Sequence, residues 1–216
     1  MNLLIMGPAG AGKGTFSEKL IKNYEIKHIS TGDMLRDQVG RKTELGLIAT
    51  DYMNHGRLVP SEIVNKMVEV TLGGDECANG YLLDGYPRTI DQAKELEEIT
   101  ERIGRKIDAV LVLEVGIEIL EQRITGRRIC PKCGAIYHIK WKPTKVEGIC
   151  DNCGAEVIQR KDDTLEELKV RMDEYYKNTE PVIGFYEERG LVHRIDASGS
   201  TEEIFKNIQE ILKSIV

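Results

Sequence analysis

The chain has 216 residues, 41% hydrophobic and 31% charged, which suits one globular domain with a well-solvated surface and room for a small insertion. Its net charge of −6 argues against broad binding to nucleic acid or to an anionic membrane. The first apolar run lacks a basic flank and stops at Gly7-Pro8, so it does not read as a signal peptide. No stretch is long and apolar enough to span a bilayer, and the expected location is the cytoplasm.

A short apolar strand over residues 2–6 runs into GPAGAGKGT at 7–15. The spacing Gly7-x4-Gly12-Lys13 is that of a phosphate-binding loop. Glycines turn successive backbone N–H groups onto an anion, the following helix adds its positive end, and a lysine reaches the terminal phosphates. The hydroxyl that usually follows the lysine is displaced here by Gly14 and comes at Thr15. Phe16, Leu20 and Tyr24 give the next helix its apolar face. A second strand over 27–30 leads into STGDMLRDQ, which predicts a capped turn at Thr31 with Arg36 on the first turns of a helix. Ile63 and Met67 mark another helix after Pro60-Ser61.

The strand YLLD at 81–84 ends on an acid, and the chain then turns through Gly85 and Pro87 to present Arg88 and Gln92. An acid at a strand end can hold water on magnesium, and a nearby arginine can neutralise a transferring phosphoryl group. After a strand over 109–113, Ile117, Leu120 and Ile124 mark a helix, with Arg123 and Arg127 four apart on one predicted face. Arg160 and Arg171 flank Asp162-Asp163. Thr164 with Glu167, and Ser200 with Glu203, have the spacing of capping boxes. A strand over 191–195 and a helix carrying Ile204, Ile208, Ile211 and Ile215 complete the pattern. Each arginine taken singly reads as solvated or in a surface ion pair. Taken with the phosphate loop, they fit a site for two polyphosphates facing each other.

Cys130-x2-Cys133 and Cys150-x2-Cys153 have the two-knuckle spacing of a tetrahedral zinc site. Disulfides are the competing reading, which the absence of any export signal disfavours. Four thiolates would close the metal shell, so the site reads as structural. The segment 127–163 is too short for its own hydrophobic core and reads as a metal-stapled insertion. Cys77 reads as an ordinary thiol of a loop or the core, and His138 as a surface residue of this segment, not a fifth ligand.

Alternating strands and helices imply an α/β fold with a parallel sheet and ligands at the strands' carboxyl ends. Over essentially the whole chain, GPAGAGKGT, STGDMLR, DGYPRT with Gln92, and the CPKCG/CDNCG segment resemble an adenylate kinase of the long, zinc-containing bacterial type. The Gly14-Thr15 ending of the loop is normal for nucleoside monophosphate kinases. The resemblance implies the P-loop nucleoside monophosphate kinase fold, a five-stranded parallel sheet flanked by helices. Its core would be 1–29, 60–126 and 164–216, with an AMP-binding insertion at 30–59 and a mobile zinc lid at 127–163.

The reaction so implied is MgATP + AMP ⇌ 2 ADP, catalysed by alignment and positive charge in a water-poor site. Gly10, Ala11, Gly12, Lys13, Gly14 and Thr15 would hold the ATP phosphates. Arg36 and Arg88 would hold the AMP phosphate, and Arg123, Arg127, Arg160 and Arg171 would close around the transferring group. Asp84 would orient magnesium through water. Thr31 and Gln92 would read the AMP base, helped by Arg57, Leu58, Val59 and the Gly85-Tyr86-Pro87 turn. The ATP base would lie near Ile136, Tyr137 and Gly199. One structural zinc on Cys130, Cys133, Cys150 and Cys153, magnesium with ATP, and a monomer without nucleic-acid or membrane partners complete the expectation. A P-loop ATPase whose knuckles bind nucleic acid, a non-catalytic nucleotide sensor, and a GTP:AMP or UMP/CMP kinase are the rivals.

Overall fold

The computed structural model describes residues 1–215. In chain order the first elements are β1 (Asn2–Met6), α1 (Lys13–Tyr24), β2 (Lys27–Ser30), α2 (Thr31–Gly40), α3 (Glu44–Asn54) and α4 (Ser61–Gly73). Next come β3 (Tyr81–Asp84), α5 (Ile90–Arg102), β4 (Ala109–Glu114), α6 (Ile117–Thr125), β5 (Arg127–Ile129) and β6 (Ile136–His138). The chain closes with α7 (Leu165–Glu174), α8 (Glu180–Glu187), β7 (Val192–Asp196) and α9 (Thr201–Lys213).

The apolar runs become buried strands because neither face alternates with polar residues, so both must be covered. Helices provide the cover, and the connections between parallel strands require them. The sheet has the order β2-β3-β1-β4-β7, all parallel. Leu4, Leu83, Val110 and Val112 face one apolar layer with α4, α5 and α8, while Leu3, Leu82, Leu111 and Ile195 face the other with α1, α6 and α9. Each such fully buried aliphatic side chain contributes roughly 1.5–3 kcal/mol relative to exposure. The expected five-stranded parallel sheet is therefore present, and its two-sided burial is what makes alternation absent from the sequence.

Topology then fixes where ligands can bind. From β1 the chain moves first to one side, through β3, and then to the other, through β4, so the order reverses at β1. A crevice opens at such a reversal beyond the strands' carboxyl ends. The phosphate loop follows β1 there, and the register pairing Ser30 and Ile5 with Asp84 aligns the ends of three strands at its mouth.

Local details depart from the sequence reading at three places. Ser30, not Thr31, caps α2, its hydroxyl accepting from Asp33 N at 3.3 Å. Arg127 does not share a helix face with Arg123: α6 ends at Thr125, and Arg127 opens β5 of a separate antiparallel ribbon. The capping box is complete at Ser200, whereas at Thr164 the hydroxyl accepts from Glu167 N but the Glu167 Oε2 atom has no hydrogen-bond partner among the described residues.

Candidate active site

One cleft of about 940 Å³ lies between the phosphate loop, α2–α3, the β3–α5 turn and the ribbon segment. Every nucleotide-site residue expected from the sequence lines it except Ala11, which is buried with its carbonyl accepting from Arg123. Gly12 caps α1 with φ +101°, a left-handed conformation that favours glycine, and no side chain occupies the cap. The first amides of α1 therefore remain available to an anion. Lys13 Nζ donates to the carbonyls of Gly7 at 2.7 Å and Pro8 at 2.9 Å, folding back over the loop.

The side of the cleft beside α2 and the β3–α5 turn is built by hydrogen bonds between distant segments. Thr31 Oγ1 donates to Gly85 O at 2.9 Å, and Arg88 Nε donates to the same oxygen at 2.8 Å. Gln92 is buried, its Oε1 accepting from Arg88 N at 2.7 Å and its Nε2 donating to Ser61 Oγ at 3.1 Å. Its amide is thus held at both ends, with one N–H and one lone pair left uncommitted by these two bonds. Tyr86 is likewise buried, donating to Asn65 Oδ1 at 2.8 Å. A π-helical turn at Tyr175–Thr179, between α7 and α8, brings Thr179 Oγ1 within 3.2 Å of Arg88 O.

The cations divide by partner. Arg36 pairs with Asp33, Arg127 with the fully buried Asp163, and Arg171 with Asp162. Arg57 reaches Asp51 at 3.4 Å on an exposed edge. Arg123 spends its guanidinium on the carbonyls of Ala11 at 3.1 Å and Ala197 at 2.8 Å. Among the described residues, Arg160 comes no nearer to a carboxylate than 4.0 Å, at Asp33, and its buried Nε has no hydrogen-bond partner. Asp84 stands at the end of β3, 3.8 Å from His28 Nε2.

Crowding and burial destabilise these positive charges. Burial, with Arg88, Arg127 and Arg171 nearby, lowers Lys13 to about 8 despite the favourable Asp84. Burial and neighbouring arginines lower Arg160 and Arg171 to about 9 each. Arg88 is lowered by burial and by Arg36, against the opposing pull of Asp84. Protein carboxylates only partly compensate the cluster, which is the electrostatic condition under which a polyanion binds well.

The ribbon segment lies over the loop: a Cβ placed at Gly14 would fall 2.9 Å from Ile136 Cδ1, and Lys142 Nζ stands 3.9 Å from Glu18. Together with Arg160 facing Asp33, these contacts describe a closed arrangement.

Residues 5–191 match the pattern of a family described as adenylate kinase. A protein named adenylate kinase from Carboxydothermus hydrogenoformans is 50% identical over 213 residues, covering 99% of this chain and all of that one. One of the same name from Caldanaerobacter subterraneus subsp. tengcongensis is 48% identical, covering 98% and 96%. Another from Clostridium tetani is 44% identical over the full length of both chains. The chain belongs to the adenylate kinase family.

The zinc-containing branch of adenylate kinases is marked by the second site. The four sulfurs of Cys130, Cys133, Cys150 and Cys153 lie within 4.8 Å of one another, with Cys130–Cys153 at 3.4 Å and Cys133–Cys150 at 3.5 Å. A tetrahedron of zinc–thiolate bonds of about 2.3 Å separates its sulfurs by about 3.8 Å, so the donor set fits one zinc ion. The two knuckles repeat one backbone pattern: Gly134 N donates to Cys130 O, and Gly154 N to Cys150 O, both at 2.9 Å. Tyr137 Oη, in turn, contacts Cys150 Sγ at 3.4 Å and accepts from Asp151 N at 2.8 Å. That hydroxyl, with backbone N–H groups, favours the thiolate of Cys150, the form that binds metal. His138 takes no part, since its ring nitrogens bond to backbone, and Cys77 is buried 3.4 Å from Thr71 O.

Several residues that line the cleft or hold its lining in place were not anticipated from sequence. Asp33 could have been, since it stands three residues before Arg36 on a helix. Ser61, Asn65 and Thr179 carry no local signal, because each is defined by a partner distant in the chain.

Proposed function

We propose that this adenylate kinase transfers the terminal phosphoryl group of MgATP to AMP, reversibly giving two ADP, by neutralising charge between two facing phosphate chains under a closing lid. The observation that carries the reading is the desolvated cluster of Arg88, Arg160 and Arg171 around Lys13, the first residue of a helix whose N-cap carries no side chain. Phosphoryl transfer has a loose transition state with charge on peripheral oxygens, so fixed cations and exclusion of water supply most of the catalysis.

In this reading the loop 10–15 with Lys13 holds the ATP phosphates, while Arg36 and Arg88 hold the AMP phosphate. Arg123, Arg127, Arg160 and Arg171 surround the transferring group. Asp84 would hold water on the magnesium that accompanies ATP, and that ion would neutralise part of the nucleotide's charge. Thr31, Gln92, the 57–59 backbone and the 85–87 turn bound the AMP base, and Ile136, Tyr137 and Gly199 the ATP base. The lid is 127–163, the AMP-binding insertion is 30–59, and zinc stiffens the lid. The enzyme works as a monomer in the cytoplasm, without nucleic-acid or membrane partners.

A panel of donors and acceptors tests the reading. AMP should be much preferred over UMP and CMP as acceptor, because in this reading Thr31 and Gln92 read the adenine edge. Equal kcat/KM for AMP and UMP would refute the adenylate assignment and leave a broader nucleoside monophosphate kinase.

A pH dependence follows from the lysine. A bound polyphosphate favours the charged form of Lys13, so its pKa in the complex exceeds the value of about 8 without ligand. Above that value the complex holds more protons than the free protein. Affinity for MgATP should therefore fall as pH rises through about 8, and calorimetry near pH 9 in buffers of different ionisation enthalpy should show net proton uptake. An affinity that stays flat through this range would mean that Lys13 does not meet the phosphates.

A further inference from the structure

We propose that His138 is a positioning residue that clips the zinc-bearing ribbon to the end of α6 and thereby favours closure of the ribbon over the phosphate loop. The kinetic part of this inference rests on the adenylate kinase reading; the clip itself does not.

His138 Nε2 lies 3.1 Å from Gln122 O in the last turn of α6. Its Nδ1 accepts from Lys140 N at 3.0 Å and Trp141 N at 3.2 Å. One neutral tautomer, with the proton on Nε2, satisfies all three contacts. Gly126 shows how closely the ring is seated. Its φ of −84° is open to any residue, yet a Cβ there would fall 2.2 Å from His138 Nε2. The ring's approach therefore demands this glycine, and the backbone conformation does not. Ile139 N donates to Gly126 O at 3.0 Å, and the Trp141 ring stacks on His138 at 4.2 Å and 24°.

The clip joins two elements that meet the cleft. Gln122 precedes Arg123, which holds Ala11 O and Ala197 O, and His138 is two residues from Ile136, which overlies Gly14. Releasing the ring frees the covering ribbon from the helix that braces the loop. Burial, with Arg128, Arg123 and Lys140 facing the imidazole, holds its pKa below the ordinary histidine range against the opposing pull of the Gln122 carbonyl, keeping it neutral near pH 7. Protonation would turn Nδ1 into a donor pointed at two N–H groups, so the clip weakens as pH falls.

Trp141 is the only tryptophan, so its emission in the zinc-loaded, full-length protein reports on the stacked ring. Fluorescence should drop on acidification as the imidazolium forms beside the indole, and that step should vanish in His138→Gln. In turnover assays His138→Ala should raise KM for MgATP by roughly 3- to 10-fold, the range expected for one lost hydrogen bond, with KM for AMP changed less than about twofold. His138→Gln, whose amide can donate to Gln122 O, should recover most of the loss. Gly126→Ala should reproduce it by expelling the ring, and should add nothing in the His138→Ala background. An unchanged KM for MgATP in a folded His138→Ala protein would overturn the proposal, as would a Gly126→Ala cost that persists without the ring. Should His138→Ala not fold, Gly126→Ala and the wild-type titration decide, and a titration without the histidine step overturns the clip. Failure of the kinase reading would instead appear as absent wild-type turnover with the fluorescence step intact.

Discussion

Replacing Arg88 by alanine should lower kcat by roughly 10²–10⁴ while leaving the protein folded. The guanidinium is held where the β3–α5 turn meets α5, by its own Nε on Gly85 O and by Gln92 Oε1 on its backbone N–H. Burial disfavours its charge, Asp84 favours it and Arg36 opposes it, so removing the cation loses the attraction to Asp84 but relieves the burial cost and a repulsion. The melting temperature should therefore move little. The cost appears where negative charge passes between two phosphates, a state in which a fixed cation in a dry site contributes most. Parallel loss of kcat and kcat/KM would mark an interaction made in the transition state, whereas a raised KM with normal kcat would mark simple AMP binding. A folded variant with normal turnover would remove Arg88 from the catalytic set.

Arg171 and Arg160 should respond differently. Arg171 is paired with Asp162, and its loss leaves that carboxylate, one-fifth exposed, without a partner. Arg160 has a more distant carboxylate and an orphaned Nε, so its charge is less committed to the protein. In the proposed reading the ion pairs and the uncommitted charge together suit a lid that closes on a polyanion, the pairs fixing the segment and the remaining charge attracting the ligand.

The parts of this architecture legible in sequence are those whose physics is local. A buried parallel strand is a short apolar run, a phosphate loop is a nine-residue motif, and a zinc knuckle is two thiols and a turn, so each is complete within one stretch of chain. What was misread depends on contacts between stretches. Ser30 and Thr31 can both cap a helix, and the choice falls to Ser30 because Thr31 Oγ1 is drawn to Gly85 O, fifty-four residues away. Arg123 and Arg127 have helical spacing, but α6 stops where the His138 ring occupies the space beside Gly126. Gln92 was legible as a polar group of the site, though its engagement with Ser61 was not, since nothing near Ser61 in sequence marks it as a partner.

Stripping zinc, or replacing Cys130 with serine, should lower the melting temperature and loosen the ribbon, while folded protein retains part of its turnover. Four thiolates fill a tetrahedral shell, leaving no position for water or phosphate, so the metal has no open site from which to act as a Lewis acid. The ribbon has little else to hold it: its apolar cluster consists of Cys130, Ala135, Tyr137 and Cys150, with Cys153, Ala155 and Val157 packed alongside. Three of these seven residues are themselves ligands, so removing the metal opens much of that cluster. Binding free energy of the ion is then folding free energy of the segment. It reaches the rest of the chain through Arg127 with the buried Asp163, and through Gln159 Nε2, which donates to Asp163 O at 2.8 Å. Metal analysis should give one zinc per chain, and thermal melts with and without a strong chelator should separate clearly. Turnover of the metal-free protein, measured below its lowered melting temperature, should be reduced through poorer lid closure and appear mainly as a raised KM for MgATP. Complete loss of turnover in metal-free protein, restored by zinc with no change in lid order, would show instead that the metal takes part in the chemistry.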